Sequence, residues 1–209
     1  MTYCLGKILV FARAPVAGQA KTRLQGLLGA AGAASLQAKL IRHTLDTLAQ
    51  QSDRPVELWC APDHLHPVFA CCAADYSVSL RQQFGDDLGE RMANAFAQTL
   101  AGCQWAIVVG TDCPELSLED ITAAAEWLSG GADAVLGPAE DGGYYLIGLR
   151  RTAATLFRAI PWGTSGVLDT TRDRLRTLRW HWQELRLLRD LDRPEDWRHF
   201  EDWVAQLHG

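Results

Sequence analysis

Residues 105–114 read WAIVVGTDCP, and this stretch decides the fold. Trp105 to Val109 are five apolar residues in a row, closed by a glycine and, soon after, a proline. So short an apolar run with such punctuation reads as a central strand buried on both faces. Strands of that kind sit in parallel sheets covered by helices, so the flanking segments should alternate between strand and helix. Upstream, Lys7 to Ala12 (KILVFA), Val56 to Cys60 and Val78 to Leu80 read as strands; downstream, so do Ala132 to Leu136 and Tyr144 to Leu149. Helical segments fall between them. Ser35 to Gln50 places Leu36, Leu40, Ile41, Leu45 and Leu48 at near-helical spacing, and Leu88 to Leu100 puts Met92, Ala95, Phe96 and Leu100 on one face. A short helix is expected near His64 to Ala73, and further helices over Thr164 to Leu178 and Pro194 to Leu207. Leu118 to Leu128 is predicted as a helix capped by Ser117, with Asp120 completing a capping box.

The expected architecture is an α/β fold: one single-domain, three-layer α/β/α sandwich over residues 1–209 with a mostly parallel central sheet. No repeat, low-complexity segment or linker interrupts it. A chain of 209 residues buries about 70 % of its unfolded surface, enough for an autonomous core. Its formal net charge of −5 argues against a general nucleic-acid or membrane-surface binder. The arginines between Arg172 and Arg189 alternate with acids and apolar residues and read as solvated helix faces. The six cysteines lack metal-type spacing, and Cys4, Cys60, Cys103 and Cys113 lie in or beside apolar runs, so free thiols in a reducing compartment are expected. MTYCLGKILVFARAP holds too short an apolar run for a secretory signal, and no run reaches membrane-spanning length. A cytoplasmic protein is expected.

Ligands of such sheets bind beyond the carboxyl ends of the strands. Three loops occupy that place: ARAPVAGQAKTR (12–23), GTDCP (110–114) and GPAEDGG (137–143). The first spans Arg13 and Gly18 and ends in Lys21 and Arg23, so backbone N–H groups and cations together suit a polyphosphate. It is not a P-loop, which needs glycine before the lysine and again five residues earlier, where Ala20 and Pro15 stand. Nor does a G-x-G-x-x-G follow the first strand; Gly26, Gly29 and Gly32 read as a helix break or a close packing contact. In the second loop Asp112 either caps a turn or holds a hard divalent cation with help from substrate phosphates. In the third, Gly142 and Gly143 let the backbone approach a ligand, and Asp141 suits a metal, a ribose hydroxyl or an acceptor nucleophile. Tyr144 and Tyr145 should point to opposite faces, with at most one lining a site. Asp192 precedes a Pro-initiated helix, where an N-cap is expected in any case. Trp162-Gly163-Thr164-Ser165 suits either a pocket wall or a helix start.

In combination, ARAPVAGQAKTRL, VVGTDCPEL, GPAEDGGYYLIGL, PWGTSGVLDTT and DLDRPEDW resemble the nucleotide-diphospho-sugar transferase superfamily, which has the GT-A fold. They are most similar to the small bacterial family of selenodomain-associated or arsenosugar-biosynthesis transferases. Small guanylyl- and cytidylyltransferases of this fold share a Lys/Arg loop, a strand-end Asp, a D-G-G loop and a closing D-x-P-E-D. The resemblance implies a metal-dependent transferase with a nucleotide or nucleotide-sugar donor and a small-molecule acceptor. Lys21 and Arg23, with Arg13 and Gly18, would hold the phosphates, and Asp112 and Asp192 would share Mg or Mn. Gly142, Gly143 and Trp162 would line the substrate, with Asp141 first and Glu140 second as general base. The usual D-x-D is here a single carboxylate in Thr111-Asp112-Cys113, which leaves nucleotidyl transfer and non-catalytic nucleotide binding as alternatives to sugar transfer.

Overall fold

The computed structural model describes residues 4–50, 54–153 and 155–206. The predicted first strand is longer than its apolar run and forms β1, Cys4–Arg13. A 3-10 turn, Thr22–Leu24, leads into helix α1, Gln25–Ala49. That helix starts ten residues before the expected Ser35 and breaks at Gly29, whose φ of 68° and ψ of 168° are non-helical. Gly29 is thus a helix break, with no atom within 4 Å of a Cβ there or at Gly26, whereas Gly32 is a close contact, where a Cβ would lie 3.1 Å from Leu28 Cβ. Next come β2 (Val56–Ala61), α2 (Pro67–Tyr76), β3 (Ser79–Gln82), α3 (Leu88–Leu100) and β4 (Cys103–Val109). Helix α4, Leu118–Ser129, begins with the expected capping box: Ser117 Oγ accepts from Asp120 N–H, and Asp120 Oδ2 accepts from Ser117 N–H at 3.0 Å. Then follow β5 (Ala134–Pro138), β6 (Tyr144–Leu149), α5 (Val167–Leu178) and a strand the sequence reading missed, β7 (Trp182–Glu184).

The expected C-terminal helix is broken into α6 (Pro194–Trp197), a 3-10 turn (Arg198–Phe200) and α7 (Glu201–Gln206); its expected end, Leu207, lies outside the described residues. Asp192 is not its cap. Arg193 occupies that position, and Asp196 Oδ2 accepts from the backbone N–H groups of Asp192 and Arg193 at 3.2 and 2.8 Å.

The seven strands form one sheet in the order β3-β2-β1-β4-β6-β5-β7. Every pairing is parallel except those of β6, which runs antiparallel to both β4 and β5. The pleat sorts each apolar run between two layers, which is why the central strands show no hydrophobic alternation. Ile8, Val10, Trp105, Ile107 and Val109 pack with residues of α1, α2 and α4 on one side. Leu9, Ala106 and Val108 pack with residues of α3 and α5 on the other. A third cluster joins α1 to the C-terminal segment through Leu24, Leu36, Leu40, Leu191, Phe200 and Val204. This is the three-layer α/β/α arrangement expected. Because β5 is parallel to β4 in direction, the loops after β1, β4 and β5 all emerge at one edge of the sheet.

Candidate functional site

An open cleft of about 540 Å³ lies at that edge, within the size range of small-molecule sites. Each of the three loops contributes to its lining. From the first come Arg13, Lys21 and Arg23; from the second Thr111, Asp112 and Cys113; from the third Asp141 and Gly143. Trp162 and Asp192 complete the set brought together from the sequence reading. Gly18, Glu140 and Gly142 do not line it.

Lys21 is the hub of the charged wall. Its backbone is left-handed (φ 45°, ψ 46°), an uncommon state for a residue with a Cβ. That turn carries the side chain inward, where Nζ lies 2.8 Å from Asp112 Oδ1 and 3.6 Å from Asp192 Oδ1 and donates to the Leu191 carbonyl at 2.7 Å. The lysine side chain is 2 % exposed, whereas those of Asp112 and Asp192 are 46 % and 32 % exposed. Burial works to lower the Lys21 pKa, but Asp112 and Asp192 overcome it and raise the value above that of an ordinary lysine. The ammonium is therefore charged and fixed beneath two carboxylates that remain open to the cleft. Arg23 Nη1 contacts Asp192 Oδ2 at 2.5 Å from the outer side.

The sequence reading missed Asp190. It lines the cleft, and its Oδ1 accepts from Cys113 Sγ at 2.6 Å. Burial, with Asp112 and Asp141 adding like charge, pushes its carboxyl up to about 7, against the thiol and Lys21. Burial, with Asp190 beside it, likewise holds the Cys113 thiol protonated, so this cysteine is a hydrogen-bond donor rather than a thiolate. Asp190 stands two residues before Asp192, and that i, i+2 spacing in an extended segment was the available signal. The segment is positioned by main-chain bonds: Leu185 N–H to Leu136 O, Leu188 N–H to Pro138 O and Leu191 N–H to Asp112 O, at 2.8, 3.1 and 2.7 Å.

The β5–β6 turn confirms the hairpin and separates its two acids. Asp141 is exposed in the cleft, and its Oδ1 accepts Gly143 N–H at 2.8 Å. Glu140 is held by Arg189, with Nε 2.6 Å from Oε2. Arg186 grips Asp120 through Nε and Nη2 at 2.8 and 2.9 Å. The arginines near the end of the 172–189 stretch are thus not a solvated helix face: α5 stops at Leu178, and Arg186 and Arg189 tie the following segment to α4 and to the turn. Gly142 has a φ of 87°, and a Cβ there would sit 2.2 Å from Ser165 O, so this glycine admits the α5 approach loop rather than a ligand. The start of α5 has Gly166 as its cap, with no side-chain capping bond. Both Tyr144 and Tyr145 border the cleft, although they do take opposite faces: Tyr145 packs in the α1/α2/α4 layer and Tyr144 against the α3/α5 layer.

Among the described residues no group of three or more His, Cys, Asp and Glu is arranged to hold a metal ion. The donors that do converge, Asp112 and Asp192, are oxygen ligands aimed at one cation, Lys21. That set suits a hard divalent ion completed by substrate oxygens and water. All six cysteines are free. No helix among the described residues is long and apolar enough to cross a membrane.

The family model described as "Uncharacterized protein conserved in bacteria (DUF2064)" matches residues 44–164. No curated protein matches the sequence. Among solved structures, one from Desulfovibrio desulfuricans G20, assigned as a nucleotide-diphospho-sugar transferase, is similar at 28 % identity with a TM-score of 0.83, over 96 % of this chain and 97 % of that one. A cytidylyltransferase from Leptospira borgpetersenii serovar Hardjo-bovis shares the fold at 13 % identity and a TM-score of 0.63, over 98 % and 88 % of the two chains. So does glucosyl-3-phosphoglycerate synthase from Mycobacterium tuberculosis, solved with Mn2+, uridine diphosphate and glucosyl-3-phosphoglycerate, at 12 % identity and a TM-score of 0.56, over 99 % and 79 %.

Proposed function

Because the chain belongs to the DUF2064 family and has the fold of nucleotide-diphospho-sugar transferases, we propose that it is a metal-dependent transferase acting from a nucleotide-activated donor. The observation that carries this reading is the convergence of Lys21, Arg23, Asp112 and Asp192 in one cleft at the carboxyl edge of β1 and β4. Arg13 and Arg23, exposed at the mouth, bind the donor phosphates, with Gly18 giving their loop its turn at a φ of 85°. Lys21 sets the two carboxylates in place from below and adds positive charge where the leaving group develops negative charge. Asp112 and Asp192 would hold Mg or Mn on their open side, where a divalent ion would supply charge stabilisation for a leaving diphosphate. Gly143 and Trp162 border the reacting group. Asp141 is the general base: its Oδ1 takes the Gly143 N–H, which orients the carboxylate toward the cleft. Glu140, engaged by Arg189, serves the turn instead.

The favoured reaction is transfer of a sugar from a nucleoside-diphosphate sugar to a small acceptor, supported by the assignment of the 28 %-identical structure. One feature favours nucleotidyl transfer from an NTP: the strand end carries a single carboxylate, Asp112, where sugar transferases of this fold usually carry two. The products separate the two reactions, since only the second releases pyrophosphate. A thermal-shift panel of NTPs and UDP-, GDP-, CDP- and dTDP-sugars, with Mn2+, Mg2+ or EDTA, tests the common part. Stabilisation by at least one nucleotide that vanishes with EDTA, and that both Asp112→Asn and Asp192→Asn abolish, is the expected result. Binding indifferent to metal sinks the shared-metal role. Tight metal-dependent binding with no product from any donor points to a non-catalytic nucleotide-binding module.

A further inference from the structure

The cleft straddles the carboxyl edge of the sheet, and its two walls differ in chemistry. The charged wall, with Lys21, Asp112 and Asp192, stands on the α1/C-terminal side. The opposite wall is made by Phe11, Leu88, Tyr144, Trp162 and Val167, all lining the cleft. Phe11, Tyr144 and Trp162 pack against the core layer of α3 and α5. None of the cleft-lining residues that α3, β6 and the approach to α5 contribute to this wall is charged. Tyr144 and Trp162 meet edge to face, with ring centroids 6.4 Å apart and planes at 84°.

The polar tips of these two rings are turned into the protein. Tyr144 Oη and Trp162 Nε1 are both buried, the phenol facing Thr171 of α5. Trp162 Nε1 lies over Gly89, where a Cβ would come within 2.8 Å of it. Burial keeps the Tyr144 phenol protonated. Yet both residues are only half-buried, so what they present to the cleft is ring carbon. Leu88, 43 % exposed, adds a further apolar surface. Such a wall rewards contact with apolar faces, and a charge seated between Leu88, Tyr144 and Trp162 loses its water without a partner; the cleft-lining cation on this side, Arg13, stands two residues beyond Phe11 on the same face of β1 and is assigned above to the donor phosphates. The wall also adjoins Asp141, three residues before Tyr144.

We propose, resting on the transferase reading above, that this wall is the acceptor subsite and that it receives a neutral ring with an apolar face. The acceptor group that reacts is then a hydroxyl delivered to Asp141, rather than a phosphate or carboxylate.

Calorimetric titration of the full chain tests this with phenyl β-D-glucopyranoside, its 4-carboxyphenyl counterpart and, separately, UDP with Mn2+. The neutral glucoside should bind at least about tenfold more tightly than the carboxylated one, since a charge seated on this wall is desolvated without a partner. Trp162→Ala and Leu88→Ala should each weaken the neutral glucoside about five- to tenfold, the loss expected for a partly exposed apolar contact. Leu88 is exposed enough for its variant to fold, which a thermal melt verifies. UDP affinity should stay within about twofold in both variants, a shift too small to reflect lost apolar contact. A glucoside that does not bind, equal binding of the two glucosides, or unchanged affinity in both variants overturns the proposal. So does a matching loss of UDP affinity, which would make the wall the seat of the nucleobase. Failure of the unmodified chain to bind UDP or any other nucleotide counts instead against the transferase reading, in titrations that contain no glucoside.

Discussion

Lys21 and Gly142 are the residues whose roles changed most on folding. In sequence, Lys21 is a loop cation suited to phosphate; in the fold it is a buried counter-ion to Asp112 and Asp192. The left-handed backbone at Lys21 makes the difference, and no residue pattern announces it, because left-handed φ is a per-residue choice that only surrounding contacts enforce. Gly142 read as room for a ligand, and the room is taken by Ser165. Gly142→Ala is therefore expected to destabilise the chain by about 3 kcal/mol or more, because strain at positive φ adds to a clash with backbone. Gly18→Ala, with a φ of 85° but open space around it, should cost only about 1 kcal/mol. Chemical denaturation of the two variants measures both, and a Gly142→Ala loss no larger than that of Gly18→Ala would return Gly142 to the ligand-binding reading.

At the scale of elements, caps and apolar periods set the boundaries well, and ion pairs decided what the elements carry. Helix α3 spans Leu88–Leu100 and β6 spans Tyr144–Leu149, as their patterns indicate. Strand β7 escaped because three residues at a sheet edge, two half-buried and Glu184 exposed, make no periodic signal. The segment after it is fastened to α4 by Arg186 and Asp120, of which the acid is buried and the arginine half-exposed. Burial disfavours the charged form of Asp120, but the hydrogen bonds from Arg186 and Ser117 outweigh it and hold its carboxyl below the usual carboxylate range. Since the folded pKa is lowered, this stabilisation is present above the unfolded value of about 3.9 and is lost as pH falls through the folded one. Arg186→Met is expected to cost about 1–2 kcal/mol at pH 7, a figure discounted for the exposure of the guanidinium. The gap between variant and parent should close below about pH 4, as urea midpoints at the two pH values would reveal. A gap independent of pH would mean that Arg186 acts through packing and its hydrogen bond to the Glu115 carbonyl rather than through the ion pair.

For the molecule as a whole, the C-terminal segment is what completes the site. Asp190 and Asp192 reach the β4 edge because Leu191 N–H bonds to Asp112 O and because Leu191, Phe200 and Val204 bury against α1. Phe200→Ala, far from any ligand in sequence, should cost about 3–5 kcal/mol of stability. It should also weaken metal-dependent nucleotide binding severalfold at temperatures where the variant is still folded; unchanged affinity would show that the segment places its carboxylates without the hydrophobic anchor. The sequence by itself determined the alternation of strands and helices, the layered α/β class, and the loops that bear Arg13, Lys21, Asp112 and Asp141. It could do so because local periodicity and glycine, proline and capping residues act over a few positions. Only the tertiary structure decided that Asp190 joins Asp192 in the cleft, that Glu140 turns away to Arg189, and that one wall of the cleft is bare ring carbon. Those outcomes depend on contacts that local pattern does not encode, 49 positions apart for Glu140 and Arg189 and 77 for Cys113 and Asp190, and on which way a side chain turns once its neighbours have filled the space around it.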